Sequence, residues 1–209
     1  MYNENLTMND ISSVRFYFEK PQINFSDTDY LPEKENLGSV LVDENCHVAL
    51  IGVGEDLNST LNRGCGMAPD IIRKQLYALR GDFGSLRVTD LGNIKQGKGL
   101  NDTYFALKNI IAELREQHII PVVIGGSQDL TLPVFDGLKE SLDRVNMTVI
   151  DSKIDMGNGK DDFNSNSFLL SVLEDDRLDQ LELMAYQSYF VSNKHLEYLK
   201  QQGFYANRL

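Results

Sequence analysis

At 209 residues the chain suits one domain with an extension, and 42% hydrophobic with 24% charged residues is ordinary for a soluble globule. A formal net charge of -11 argues against nucleic acid, whose phosphates demand lysine and arginine, and against anionic membrane surfaces. Two cysteines, Cys46 and Cys65, are too few for a disulfide framework and lack zinc-site spacing, so both read as free thiols of a reducing compartment. No apolar run is long enough to span a membrane, and the first ten residues are polar and acidic rather than signal-like. The expected location is cytoplasmic.

Residues 1–45 lack sustained periodicity and read as an N-terminal extension packed on the domain, with a short strand over 14–18 and breaks at Pro21 and Pro32. Asp27-Thr28-Asp29 sits in turn-rich sequence and reads as a solvated turn. The domain proper, 46–209, opens with an apolar strand over 47–53, closed by Gly52 and Gly54. That Gly-x-Gly lacks a third glycine and an immediate helix, so it carries little dinucleotide signal. A helix follows from Pro69, with Ile72, Leu76 and Leu79 at core spacing. Residues 86–91 form a second strand, and Asp90 and Asn93 are expected to stabilise the turn after it. Asn101 or Asp102 caps the next helix, whose stripe is Tyr104, Leu107, Ile111 and Leu114.

Residues 119–124 are the third strand, and 130–142 a helix with Pro133 in an early turn. Residues 147–150 are the fourth strand, followed by a polar turn over 161–166 and a helix over 167–173. A fifth strand spans 181–186, and Ser192 caps a helix that ends at Gly203. Another strand is expected to begin at Phe204-Tyr205, so the ending at Leu209 reads as abrupt and the domain as incomplete at its C-terminus. Strands alternating with helices predict an α/β fold, a three-layer α/β/α sandwich on a doubly wound, mainly parallel sheet.

Ligands of open α/β sheets bind beyond the carboxyl ends of the strands. Two such ends stand out. One is Gly125-Gly126-Ser127-Gln128-Asp129; the other is Asp151-Ser152-Lys153-Ile154-Asp155. Gly125, Gly126, Ser127 and Asp129 are expected to line the crevice, with Asp129 capping the next helix and Gln128 bonding within its turn. Lys153 reads as a counter-ion between two carboxylates. His47, His118 and His195 lie away from both segments and read as surface or cap residues.

Four segments, in order, resemble the ureohydrolase family of arginase, agmatinase and formimidoylglutamase. They are Gly64-x-Gly66-x-Ala68-Pro69-x-Ile71-Ile72-Arg73, Asp90-Leu91-Gly92-Asn93, residues 121–131 and residues 146–155. The resemblance implies the arginase-like fold and two manganese ions sharing a hydroxide that attacks a guanidino or formimino carbon. It also implies histidine ligands where this chain has Gln128 and Lys153, aspartate ligands at Asp151 and Asp155, and a later Asp-x-Asp pair with no counterpart in these residues. Gln128, Asp151, Lys153 and Asp155 are thus altered or vestigial metal positions. An ammonium has no lone pair to donate, and a glutamine carbonyl is a weak, uncharged ligand. The expectation is a catalytically degenerate family member with no cofactor in this chain, and with manganese only if the site functions. An active amidine or guanidino hydrolase and a non-catalytic small-molecule binding module are the alternatives. A homo-oligomer, or pairing with another subunit, is the expected assembly.

Overall fold

The computed structural model describes residues 10–21, 36–81, 83–157 and 163–209, without the side chains of residues 39 and 40. Asp27-Thr28-Asp29 and the start of the polar turn at 161–162 lie outside the described residues. Within residues 10–45, the expected strand over 14–18 is mostly a turn of helix, α1 (Ser12–Arg15), and only β1 (Phe18–Glu19) is extended. Ile11, Val14 and Phe18 are buried against the main core, and β1 pairs antiparallel with β3 (Val88–Ile94).

The remaining elements alternate: β2 (Val48–Val53), α2 (Ala68–Tyr77), β3, α3 (Leu100–Glu116), β4 (Ile120–Gly125), α4 (Thr131–Ser141), β5 (Val145–Ile150), α5 (Phe168–Leu173), β6 (Leu178–Tyr186), α6 (Asn193–Gln201) and β7 (Tyr205–Arg208). Apart from the β1–β3 pair, all named strand pairings are parallel, as strand–helix crossovers require. They form two sheets: a four-stranded one ordered β1-β3-β2-β4, and a three-stranded one ordered β5-β6-β7. The sequence predicts one doubly wound sheet, whereas among the described residues β4 and β5 do not pair, so each leaves one edge free.

β2 is central in its sheet, and its run Val-Ala-Leu-Ile-Gly-Val is buried from Ala49 onward. Helix α3 packs its Leu107, Ile111 and Leu114 stripe into that core, as its 3.6-residue period predicts. Its start differs from expectation: Gly99 is the N-cap, and the Asp102 carboxylate accepts from the Lys98 backbone N–H at 2.7 Å. At the other end of the chain, Ser192 caps α6 by accepting from the His195 N–H at 3.3 Å. Around β5 and β6 a second core gathers Phe168, Leu169, Val172, Leu181 and Leu183, with Phe135 of α4 reaching into it.

Helix α2 corrects the predicted core stripe. Ile72 and Leu79 are exposed, whereas Pro69, Arg73 and Tyr77 are buried. The buried face is therefore the i, i+4, i+8 line through a charged residue. Arg73 is fully buried with all five guanidinium N–H donors used. Its Nε and one Nη2 hydrogen go to the Asp90 carboxylate at 2.7 and 3.0 Å, and Nη2 also reaches the Gly92 carbonyl at 2.8 Å. Nη1 donates to Asp70 at 3.3 Å and to the Asn93 side-chain oxygen. The Tyr77 hydroxyl donates to Asp90, and burial first, then that carboxylate, holds it well above the ordinary tyrosine range. Asp90 and Asn93 thus lie within β3 as partners of a buried arginine, not in a turn after it. Gly52 of β2 is needed here, because a Cβ there would meet Asn93 Oδ1 at 1.8 Å and the Arg73 guanidinium at 2.6 Å.

Candidate functional site

The carboxyl ends of β4 and β5 meet although the strands do not pair. After β4 the chain turns sharply at Gly125-Gly126. Gly126 passes so close to the loop after β2 that a Cβ would sit 1.9 Å from the Glu55 carbonyl oxygen. The Ser127 N–H donates to that same carbonyl at 2.9 Å, which pins the turn. The turn delivers Gln128 toward the loop after β5, where its side-chain amide donates to Asp151 Oδ2 at 3.1 Å. The other oxygen of Asp151 accepts from the Lys153 backbone N–H at 3.0 Å and the Ser152 hydroxyl at 3.3 Å, an Asx-type turn. Gln128 therefore bonds across the crevice rather than within its own turn.

These residues line a cavity of about 400 Å³ together with Ser59, Asn62, Gly126, Ser127, Asp155 and Asn166. Asp155 is 9% exposed, and burial, then the neighbouring Asp151 charge, raises its carboxyl from the ordinary 3.8 to about 6; Lys153 acts in the opposite direction. The Ser127 hydroxyl is buried and has no hydrogen-bond partner among the described residues. Gly125 packs beside Leu130, where an added Cβ would lie 3.4 Å from Cδ1.

Lys153 departs from its expected role. Its side chain is exposed and lies over the Phe190 ring, 6.0 Å from the centroid. Among the described residues it makes no ion pair within 4.0 Å, so it does not bridge the two aspartates. A solvated ammonium over an aromatic face keeps its hydration, whereas one clamped between half-buried carboxylates loses it.

Asp129 is also corrected. It caps no helix; it is fully buried behind the crevice and accepts from the Tyr104 hydroxyl, which in turn accepts from the Asn58 amide at 3.3 Å. Burial, then the hydrogen bond to Asp129, holds the Tyr104 hydroxyl well above the ordinary range. Asp129 Oδ1 has no partner among the described residues. Next to this group the buried Glu55 accepts from the Leu57 N–H at 2.9 Å and the Thr103 hydroxyl at 3.2 Å. His47, His118 and His195 are absent from the cavity lining.

The model of the arginase family matches residues 46–207. The chain belongs to the arginase family. A guanidinobutyrase of Pseudomonas aeruginosa is 25% identical over 172 residues, covering 75% of this chain and 53% of that protein. Manganese-bound formiminoglutamase of Trypanosoma cruzi superposes with a TM-score of 0.74 at 19% identity, over 83% of this chain and 65% of that one. Formimidoylglutamase of Bacillus subtilis gives 0.74 at 14% identity, over 90% and 64%. Arginase of Medicago truncatula gives 0.64 at 17% identity, over 76% and 55%. At these identities the structures establish a shared arginase-like α/β fold. The chain spans about half the length of the Pseudomonas relative and less than two thirds of these three solved structures.

Of the four positions that the sequence resemblance aligns with metal ligands, Gln128, Asp151 and Asp155 gather at the cavity, while the Lys153 ammonium turns outward. Among the described residues no group of three or more histidine, cysteine, aspartate or glutamate side chains is placed to hold a metal ion. Sequence reading missed the Arg73 network and the Asp129–Tyr104–Asn58 group. The first had a signal in Pro69, Arg73 and Tyr77 at spacings of four on an otherwise apolar helix stripe. The second joins residues far apart in sequence, and nothing local announces it.

Proposed function

We propose that this chain is an arginase-family unit whose crevice, as built from these residues, has lost the binuclear metal centre and serves a binding or structural role instead of hydrolysis. The Gln128–Asp151 hydrogen bond carries this reading. Gln128 donates to Asp151 where the resemblance implies a histidine ligand, so the crevice offers two carboxylates, Asp151 and Asp155, and no imidazole, which is short of the ligand set that two manganese ions need. Lys153 adds positive charge near the place where the family keeps cations. The donor set does not suit the metal pair.

Metal analysis of the purified protein after incubation with manganese tests the reading. Less than one tightly held ion per chain, with no urea, ammonia or formamide released from guanidino and formimino compounds, is the expected outcome. Stoichiometric manganese or turnover would establish the alternative, an active hydrolase of the kind the Pseudomonas and Trypanosoma names describe.

One observation favours small-molecule binding over a purely structural role. The cavity of about 400 Å³ is lined by polar side chains, among them Asp155, whose burial favours the neutral carboxyl, a hydrogen-bond donor. A thermal-shift panel of amino acids and small anions checks it. A rise in melting temperature with one ligand class supports a binding module, and a flat response across the panel removes it.

A further inference from the structure

Beyond the polar cavity, the turn after β6 adds an apolar feature to the crevice. Tyr189 and Phe190 are 77% and 56% exposed, and their rings meet edge to face with centroids 5.0 Å apart. Apolar residues scattered singly over a surface are ordinary, whereas adjacent exposed rings mark contact sites. The pair is held in place. The Gln187 N–H donates to the Ser152 carbonyl at 2.9 Å, and the Phe190 N–H closes the turn on the Gln187 carbonyl at 2.9 Å. At the end of β6, Ala185 has φ 67°, a left-handed conformation that residues with a Cβ seldom adopt, and the β6–β7 register shifts across it. A bulge of this kind re-aims the chain that follows, and backbone strain collects at binding sites.

Lys153 joins this pair to the cavity. It lines the cavity, and its ammonium stands over the Phe190 ring, 6.0 Å from the centroid. Among the described residues it is the only cation in that lining, and it makes no ion pair within 4.0 Å. An anion inside the cavity would meet Asp151 and Asp155, so the place for one is outside them, at the outward-turned ammonium. An exposed ammonium beside exposed rings supplies the two contacts that a flat acid needs. The ammonium gives the carboxylate a charge-assisted hydrogen bond, and the aromatic pair gives the ring a stacking partner. We infer that the mouth of the crevice binds a small aromatic carboxylate, with Lys153 holding the carboxylate and Tyr189 and Phe190 packing on the ring, a site that rests on reading the crevice as a binding module.

The full chain is titrated with 3-phenylpropionate, with 3-cyclohexylpropionate, which lacks the aromatic ring, and with 3-phenylpropanol, which lacks the charge. Binding is followed by amide NMR. The expected result is a saturable shift of residues 151–155 and 187–190 with 3-phenylpropionate, weakened at least about 5-fold in each analogue. Lys153→Met and Phe190→Leu should each weaken 3-phenylpropionate by a similar factor, about 5-fold, while melting with the parent protein, since both side chains are exposed. Equal binding of the three compounds, or an unchanged titration in either folded variant, overturns the inference. Manganese analysis of the same preparation separates the two levels. No saturable shift in a protein that retains no manganese overturns this site alone, whereas stoichiometric manganese overturns the reading of the crevice and this site with it.

Discussion

Asp70 and Asp90 form one aspartate pair, Asp151 and Asp155 another, and their surroundings differ. The first pair closes on a guanidinium that is fully buried, and every donor of Arg73 has an acceptor. The second pair lines a cavity beside a lysine that looks outward, and one of its two members, Asp155, has its carboxyl raised to about 6. A satisfied buried network rigidifies and specifies a fold, whereas an unsatisfied one stores destabilisation that binding can release. Both pairs lie in segments that resemble family motifs, so a motif match by itself does not separate a structural lock from a site.

The largest expected effect breaks the first pair. Arg73→Leu leaves Asp90, 5% exposed at its side chain, without a counter-charge, and should cost about 3–5 kcal/mol in chemical denaturation. A cost below about 1 kcal/mol would mean the network is not a lock. At the second pair the sign reverses, because the folded state raises the Asp155 carboxyl from 3.8 to about 6. The stability this group contributes is fully present below pH 3.8 and is lost as pH rises through about 6. Asp155→Asn should therefore gain on the parent protein as pH climbs through that window, by on the order of 2 kcal/mol at pH 7. Parallel stability curves for the two proteins between pH 4 and pH 7, roughly the limits of that window, would contradict the raised carboxyl. The smallest effect sharpens the comparison. Lys153→Ala should change stability by less than about 1 kcal/mol while moving the Asp155 titration upward in carboxyl NMR. A loss of several kcal/mol would instead place the ammonium between the aspartates.

Much of the α/β order was legible because periodicity is local. The stripe of α3 and the apolar run of β2 follow directly from side-chain spacing, and the Ser192 cap from residue type. Helix α2 was misread because hydrophobicity alone ranks Ile72 and Leu79 above Arg73. A neutralised guanidinium is nevertheless buried there, and only the distant β3 supplies its acceptors. Asp129 was misread for a related reason: its position before a helix suggests a cap, but Tyr104 on another helix takes its carboxylate.

The sequence by itself determined the family, the alternation of strands and helices, and the two loops where Gln128, Asp151 and Asp155 come together, since motif spacing and strand ends are properties of the chain. Tertiary structure alone decided that Lys153 leaves the carboxylates for the Phe190 ring, that Arg73 closes on Asp90, and that among the described residues β4 and β5 do not pair with each other. Those outcomes depend on the cost of desolvating charges and on hydrogen-bond partners brought from elsewhere in the chain, which no local pattern encodes.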